Sequence, residues 1–356
     1  MPRRTASRSR WALCMVGVIG GLTVLMAAPA AACAGLVGEN GTIQLERTST
    51  LAAYHDGVER YVTSFQFSGQ GKSVGAIVPL PGVPTKVERA GSWTLQRLER
   101  EVTPIEHVFA DAQASSAGSP KRATVILQTQ VDALDITVLK GGGSEVGKWA
   151  VDHGYLLTPD APEVLDFYSK RSPIFMAARF DVSRAAALGQ NAGDGTPIMV
   201  TIPTHEPWVP LRILGLGLDK SRFVDADVFL LTDHHPKLLA GGTGLSLERS
   251  ESANASLLSD LRRDKHMEWV PQQMYFTYLK LHSPAGNLKY DLAVSDHANA
   301  LPSLRAAGVT ASRAREIVAR GGRALWPIAA AALAGGLTFA VVTVASRRRK
   351  TAGVAA

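Results

Sequence analysis

The chain has 356 residues, of which 46% are apolar, 19% charged and 6% aromatic, with 33 Gly, 19 Pro and 2 Cys. That is too apolar for a disordered chain, and two cysteines, Cys14 and Cys33, exclude a disulfide scaffold and a four-cysteine zinc site. The formal charge of +7 sits at the ends: Arg3, Arg4, Arg8 and Arg10 in residues 1–32 and Arg347, Arg348, Arg349 and Lys350 in residues 324–356, with no acid in either stretch.

Removing those eight from the 38 Lys and Arg leaves 30 against 31 Asp and Glu, so residues 33–323 carry a net charge of −1. They have no excess of cations with which to displace phosphate counterions, and nucleic acid is excluded as a partner. The charged ends read instead as membrane topology signals.

At the N-terminus, basic Arg3–Arg10 precede the apolar run Trp11–Ala28 and a small-residue site at Ala28-Pro29-Ala30 or Ala30-Ala31-Ala32. Residues 1–32 are therefore expected to be an export signal peptide. Ala30-Ala31-Ala32-Cys33 also resembles a lipoprotein cleavage box, which makes Cys33 a lipidation candidate.

A β-rich lobe is expected over 33–140. Strands Thr48–Tyr54 and Tyr61–Phe67 flank the turn pair Asp56-Gly57 as a hairpin, and Ser73–Pro79 runs as a buried strand into Pro79, Pro81 and Pro84. Trp93–Glu101 reads as a helical turn or an edge strand, Ala110–Lys121 as a loop and Thr124–Val131 as a strand. Gly141-Gly142-Gly143 then breaks the chain and is taken as the lobe boundary.

An α+β lobe is expected over 141–300. Val146–His153 and Ala161–Lys170 read as helices, the second with Asp160 as N-cap and Pro162 in its first turn. Short apolar strands follow at Phe175–Val182, Ile198–Ile202, Leu211–Leu218 and Asp227–Leu231, then a helix at Ser252–His266. Gln273–Leu281 and Leu288–Val294 read as an antiparallel pair around Pro284-Ala285-Gly286-Asn287.

Residues 301–323, with Arg313, Arg315, Arg320 and Arg323, read as a basic juxtamembrane stalk. Ala324–Ala345 is a 22-residue run without a charge, with Trp326 near its outer edge and a basic cluster directly behind it. At 1.5 Å per residue it is long enough to cross roughly 30 Å of hydrocarbon, and the positive-inside rule leaves 346–356 as a cytoplasmic tail. The expected fold class is thus α+β, mainly short antiparallel strands with a few helices in two lobes, plus one C-terminal transmembrane helix of single-pass type I topology.

Chemistry is sparse. Gly71-Lys72-Ser73-Val74-Gly75 matches the spacing of a nucleophile elbow, but a loop precedes Ser73 and a strand follows, where an elbow needs a strand and then a helix. Asp233-His234-His235 is the metal candidate, with Asp296-His297 available to complete it. No catalytic constellation and no cofactor motif is found. Trp93, Trp149 and Trp208 read as packing residues more readily than as a sugar-stacking platform.

Several segments together resemble the domain of unknown function 2330 family: Ala32-Cys33-Ala34-Gly35, His55-Asp56-Gly57-Val58-Glu59-Arg60-Tyr61, Val78-Pro79-Leu80-Pro81-Gly82-Val83-Pro84, Trp149–Gly154 and Glu206-Pro207-Trp208-Val209-Pro210-Leu211-Arg212. The resemblance covers most of 33–300 and departs from the family's Cys-Gly-Gly start at Cys33-Ala34-Gly35. It implies an exported, membrane-anchored protein of a high-GC bacterium and a shared fold; it implies no activity and carries over no catalytic residue.

The function expected is a non-enzymatic extracytoplasmic module that binds an envelope polymer or a membrane protein. The alternatives are an envelope hydrolase, transferase or metal-binding protein with a dispersed site, and an accessory subunit of a membrane complex.

Overall fold

A computed structural model describes residues 30–31, 35–38, 47–65, 73–103, 123–190, 196–239, 244–297 and 300–309. In chain order the strands and helices are β1 (Ala30–Ala31), β2 (Gly35–Gly38), β3 (Arg47–His55), β4 (Val58–Phe65), β5 (Ser73–Leu80), β6 (Lys86–Arg89), α1 (Trp93–Val102), β7 (Thr124–Val131) and β8 (Leu134–Lys140). There follow α2 (Gly143–Asp152), α3 (Ala161–Ser169), β9 (Ile174–Asp181), α4 (Val182–Ala187), β10 (Thr196–Pro203), β11 (Trp208–Val209), β12 (Phe223–Thr232) and β13 (Lys237–Leu239). The last are β14 (Leu245–Ser252), α5 (Ala255–Arg262), β15 (Tyr275–Pro284) and β16 (Leu292–Ser295).

The Asp56-Gly57 pair forms the expected hairpin turn. Both residues have positive φ, 51° and 75°, the backbone that matches the right-handed twist of the strands it joins. The hairpin lies in a large sheet of order β14-β15-β12-β3-β4-β10-β6, with β1 beside the start of β3; a second sheet runs β2-β5-β9-β8-β7 and a small third one β11-β16-β13.

Alternation along the strands sorts the apolar residues into three cores. Ala52, Tyr61, Val200, Val228 and Leu279 from the large sheet meet Val78, Ile136, Val138, Met176 and Phe180 from the second, forming the inter-sheet core. On the outer face of the large sheet, Leu51, Val62, Phe229 and Phe276 pack against Leu95 and Leu98 of α1 and Leu257, Leu258 and Leu261 of α5. On the outer face of the second sheet, Ile77, Phe175 and Ala177 pack against Val146 and Trp149 of α2 and Val164, Leu165 and Tyr168 of α3. The result is four layers, helix, sheet, sheet, helix: a sheet-rich α+β protein in which each sheet is covered on both faces.

The division expected at Gly141 does not separate two bodies. β8 pairs with β9 across the glycine run, and β10 from the second expected lobe lies between β4 and β6 of the first. The glycine run starts a helix instead, where the Gly142 N–H donates to Glu145 Oε2 at 2.8 Å.

Three further expectations change. Leu211–Leu218 is not a strand but a 3-10 turn over Arg212–Gly215, because the Leu211 and Arg212 N–H groups donate to the Asp291 carboxylate rather than to a ladder. Leu288–Val294 does not pair with β15; Ala285–Asn287 forms a 3-10 turn that carries the chain out of the large sheet, and β16 pairs with β11 and β13. Asp160 takes the expected N-cap position of α3, but its side chain makes no cap bond there; its Oδ2 accepts from the Gly217 N–H at 3.1 Å.

The expected stalk begins inside the fold, since Ala306, Ala307 and Val309 are buried and the Asp291 N–H donates to the Ala307 carbonyl at 3.1 Å. Among the described residues no helix is long and apolar enough to cross a membrane. The export signal other than Ala30–Ala31, which forms β1, together with Cys33, Ala110–Lys121, the stalk arginines and Ala324–Ala345, lies outside the described residues.

Candidate functional site

β12 runs parallel to β3, with Leu231 opposite Ala53 and Thr232 opposite Tyr54. Parallel neighbours leave a sheet on the same side, so the two chain segments that follow, His55-Asp56 and Asp233-His234, emerge together although 178 residues separate His55 from Asp233. His55 and Asp233 continue the outward phase of Ala53 and Leu231 and therefore face the α1 and α5 side.

There His55 Nδ1 donates to Asp233 Oδ1 at 2.7 Å, and His55 Nε2 lies 3.3 Å from Asp56 Oδ2. Asp233 Oδ2 also accepts from the Asp56 N–H at 3.4 Å. The donor atoms of His55, Asp56 and Asp233 all lie within 4.8 Å of one another. The ring of Trp269, from the segment after α5, stacks on His55 at 6.2 Å, and the Arg60 guanidinium lies 4.1 Å from the same indole. His55 and Asp233 are each 24% exposed at the side chain and Asp56 85%, so the cluster opens to solvent on the Asp56 side.

The inward phase at the same strand ends carries Tyr54 and Glu59, which face each other across the hairpin. The Tyr54 hydroxyl donates to the Thr204 carbonyl at 2.9 Å. Burial raises its pKa, and the carboxylates of Asp296, Glu59 and Asp233 raise it further. Asp296 is itself pushed up, first by burial, against the pull of the His234 N–H, with Asp233 adding to the rise. Burial pushes Glu59 up to about 8, opposed by the backbone N–H of Trp208. This end of the sheet is thus a negative region in which Arg60 is a cationic exception.

The residues expected to chelate together diverge. The His234 N–H donates to Asp296 Oδ1 at 2.8 Å, with its ring Nδ1 3.7 Å from Oδ2. His235 turns edge-on to Tyr275 and places Nε2 3.5 Å from Ser250 Oγ. His297 donates its backbone N–H to Ser295 Oγ at 3.3 Å. Of Asp233, His234 and His235, Asp233 alone joins the His55 cluster; the sequence reading gives Asp56 to the turn and His55 only to the family-like segment, and the signal that marks them is a His-Asp pair ending a buried strand.

Other motifs serve the fold. Ser73 opens strand β5 opposite Asp181, which leaves no helix after it for a nucleophile elbow. Trp149 and Trp208 are buried; His153 stacks on Trp149 at 4.0 Å while its Nδ1 meets the Trp149 carbonyl, and Arg171 lies 4.0 Å from the Trp208 ring. Trp93, half-buried, is covered by the Arg100 guanidinium at 4.6 Å.

Fold and site together define a sheet-rich α+β protein in which, among the described residues, the one group of three imidazole and carboxylate side chains with metal-ligand spacing sits at a sheet end. The chain belongs to the family described as an uncharacterized protein conserved in bacteria (DUF2330), whose family model matches residues 27–237. No functionally curated protein matches it. Among solved structures, the crystal structure of baculovirus P35 aligns over 72% of this chain and 94% of its own at 12% identity, with a TM-score of 0.34. The caspase-8/P35 complex aligns over 70% and 90% at 10% identity, with a TM-score of 0.32. Similarities this distant carry no argument about fold or function.

Proposed function

We propose that this protein is an exported, single-pass envelope protein whose extracytoplasmic body is a binding module, held to the plasma membrane by Ala324–Ala345 with its last residues in the cytoplasm. The carrying observation is the segregation of charge. Between each uncharged apolar run and its chain terminus lie four basic groups and no acid, while residues 33–323 are balanced to −1. The membrane is the first partner; an envelope polymer or a membrane protein is the second.

A binding role is supported by how the family-like segments are used. Trp208 and the Leu211 and Arg212 N–H groups surround a buried arginine–carboxylate pair, and Trp149–Gly154 ends a packed helix. Among the described residues the groups that meet His55 are two carboxylates and an indole, which offer it no nucleophile to activate.

Peptide mass spectrometry of the chain purified from its native membrane tests the export step. A mature N-terminus at Ala31 or Cys33 is expected, and an intact Met1 start on the mature protein would contradict it.

A further inference from the structure

The contacts of His55 contain an imbalance. A neutral imidazole has one N–H, and here both ring nitrogens face carboxylate oxygens, Nδ1 to Asp233 at 2.7 Å and Nε2 to Asp56 at 3.3 Å. With the proton on Nδ1, where the contact is short, the Nε2 lone pair points toward an anionic acceptor. Two acceptors then face each other across a gap that a cation fills, either a second ring proton, which makes His55 an imidazolium bonded to both carboxylates, or a metal ion held among donor atoms that all lie within 4.8 Å of one another.

We propose that His55 Nε2 and the Asp56 carboxylate bind one divalent transition-metal ion of the zinc class, with Asp233 fixing the imidazole through its Nδ1–H. The spacing fits: two donors of a tetrahedral zinc shell stand about 3.4 Å apart when the metal bonds are about 2.1 Å. So does the donor set, because an imidazole nitrogen beside carboxylate oxygen suits zinc-like ions, whereas calcium and magnesium favour oxygen alone. Asp233 occupies the place of the carboxylate that orients a metal-bound histidine and raises its basicity.

The surroundings favour a cation on balance. The Arg60 charge opposes one, but Asp56, Asp233 and Asp296 bring three carboxylates to the same strand ends. Trp269 closes one face of the His55 ring, and the exposed Asp56 side leaves room for water or a ligand group from a partner to complete the shell. This assignment differs from an ion held by Asp233, His234 and His235, whose imidazoles turn away from each other.

The test is titration of Zn²⁺ into the tag-free, detergent-solubilised full chain by isothermal calorimetry, with metal content checked by mass spectrometry. Wild type is expected to bind one equivalent, saturating by about 100 μM, and a His234→Gln, His235→Gln double variant to bind equally well. His55→Gln should abolish binding, and Asp233→Asn should weaken it by about 10–100-fold. Asp56→Asn keeps the fold secure, since Asn-Gly is a preferred pair for this turn, yet should also abolish binding. Absence of Zn²⁺ binding by wild type, or its survival in Asp56→Asn and His55→Gln, would overturn the assignment; loss in the His234, His235 double variant alone would move the site there.

Discussion

Arg171 and Asp291 form an ion pair in the interior, where Asp291 is 0% and Arg171 9% exposed. The carboxylate also accepts from the Tyr168 hydroxyl at 2.9 Å and from the Leu211 and Arg212 N–H groups at 2.7 and 2.8 Å. Arg171 completes the knot by donating to the Ala306 carbonyl at 2.8 Å. Four separate pieces of chain, α3, the Arg212 turn, the entry to β16 and the 301–309 segment, are thereby tied at one ion pair.

Asp291→Ala strands a buried guanidinium, a hydroxyl and two backbone donors, and should cost about 3–5 kcal/mol. Asp291→Asn keeps an acceptor for the two N–H groups and should cost less. Urea unfolding midpoints of the two variants give the order, and an Asp291→Ala protein as stable as wild type would refute the role of the knot.

Helix α1 takes its start from far along the chain. Ser92, at the N-cap position, makes no cap bond, whereas Asp264 Oδ2 accepts from both the Thr94 N–H and the Thr94 hydroxyl at 2.7 Å. Asp264 follows α5, so one carboxylate both caps α1 and fixes it against its neighbour. Asp264→Ala should cost about 1–2 kcal/mol, as loss of a helix cap does, and raise hydrogen exchange over Trp93–Arg97 first.

Glu59 sets a pH dependence of stability. It is fully buried, and burial pushes it up to about 8 from the ordinary 4.5 against the pull of the Trp208 N–H. The folded state then holds a proton that the unfolded chain releases between these values. The contribution is fully present below about pH 4.5, falls as pH rises, and is lost above about 8, a change of about 5 kcal/mol at most. Glu59→Gln has no proton to lose. Its unfolding free energy should exceed that of wild type above pH 8, and the wild-type decline between pH 5 and 8 should flatten; parallel pH curves for the two proteins would exclude Glu59 as the source.

Local features were legible in the sequence and long-range ones were not. Asp56-Gly57 announced its hairpin because positive φ at two positions needs such residues, and Ser73–Leu80 announced a buried strand by its apolar run into proline. The α2 and α3 helices followed from period and from Pro162. Leu211–Leu218 was misread because its apolar residues serve a turn whose N–H groups answer to Asp291, about 80 residues later. The same limit hid the site: His55 meets Asp233 only because β3 and β12 pair in parallel, a partnership that neither strand's alternation encodes. Histidines adjacent in sequence drew attention to Asp233-His234-His235, while extended backbone sends neighbouring side chains to opposite faces.

Impermeant maleimide labelling of single-cysteine variants tests the proposed membrane topology directly. In a Cys33→Ser background, Val83→Cys places a thiol at an exposed position of the folded body and Ala355→Cys places one in the tail. Val83→Cys is expected to react in wall-stripped intact cells and Ala355→Cys only after lysis. Labelling of Ala355→Cys in intact cells with Val83→Cys protected would contradict it.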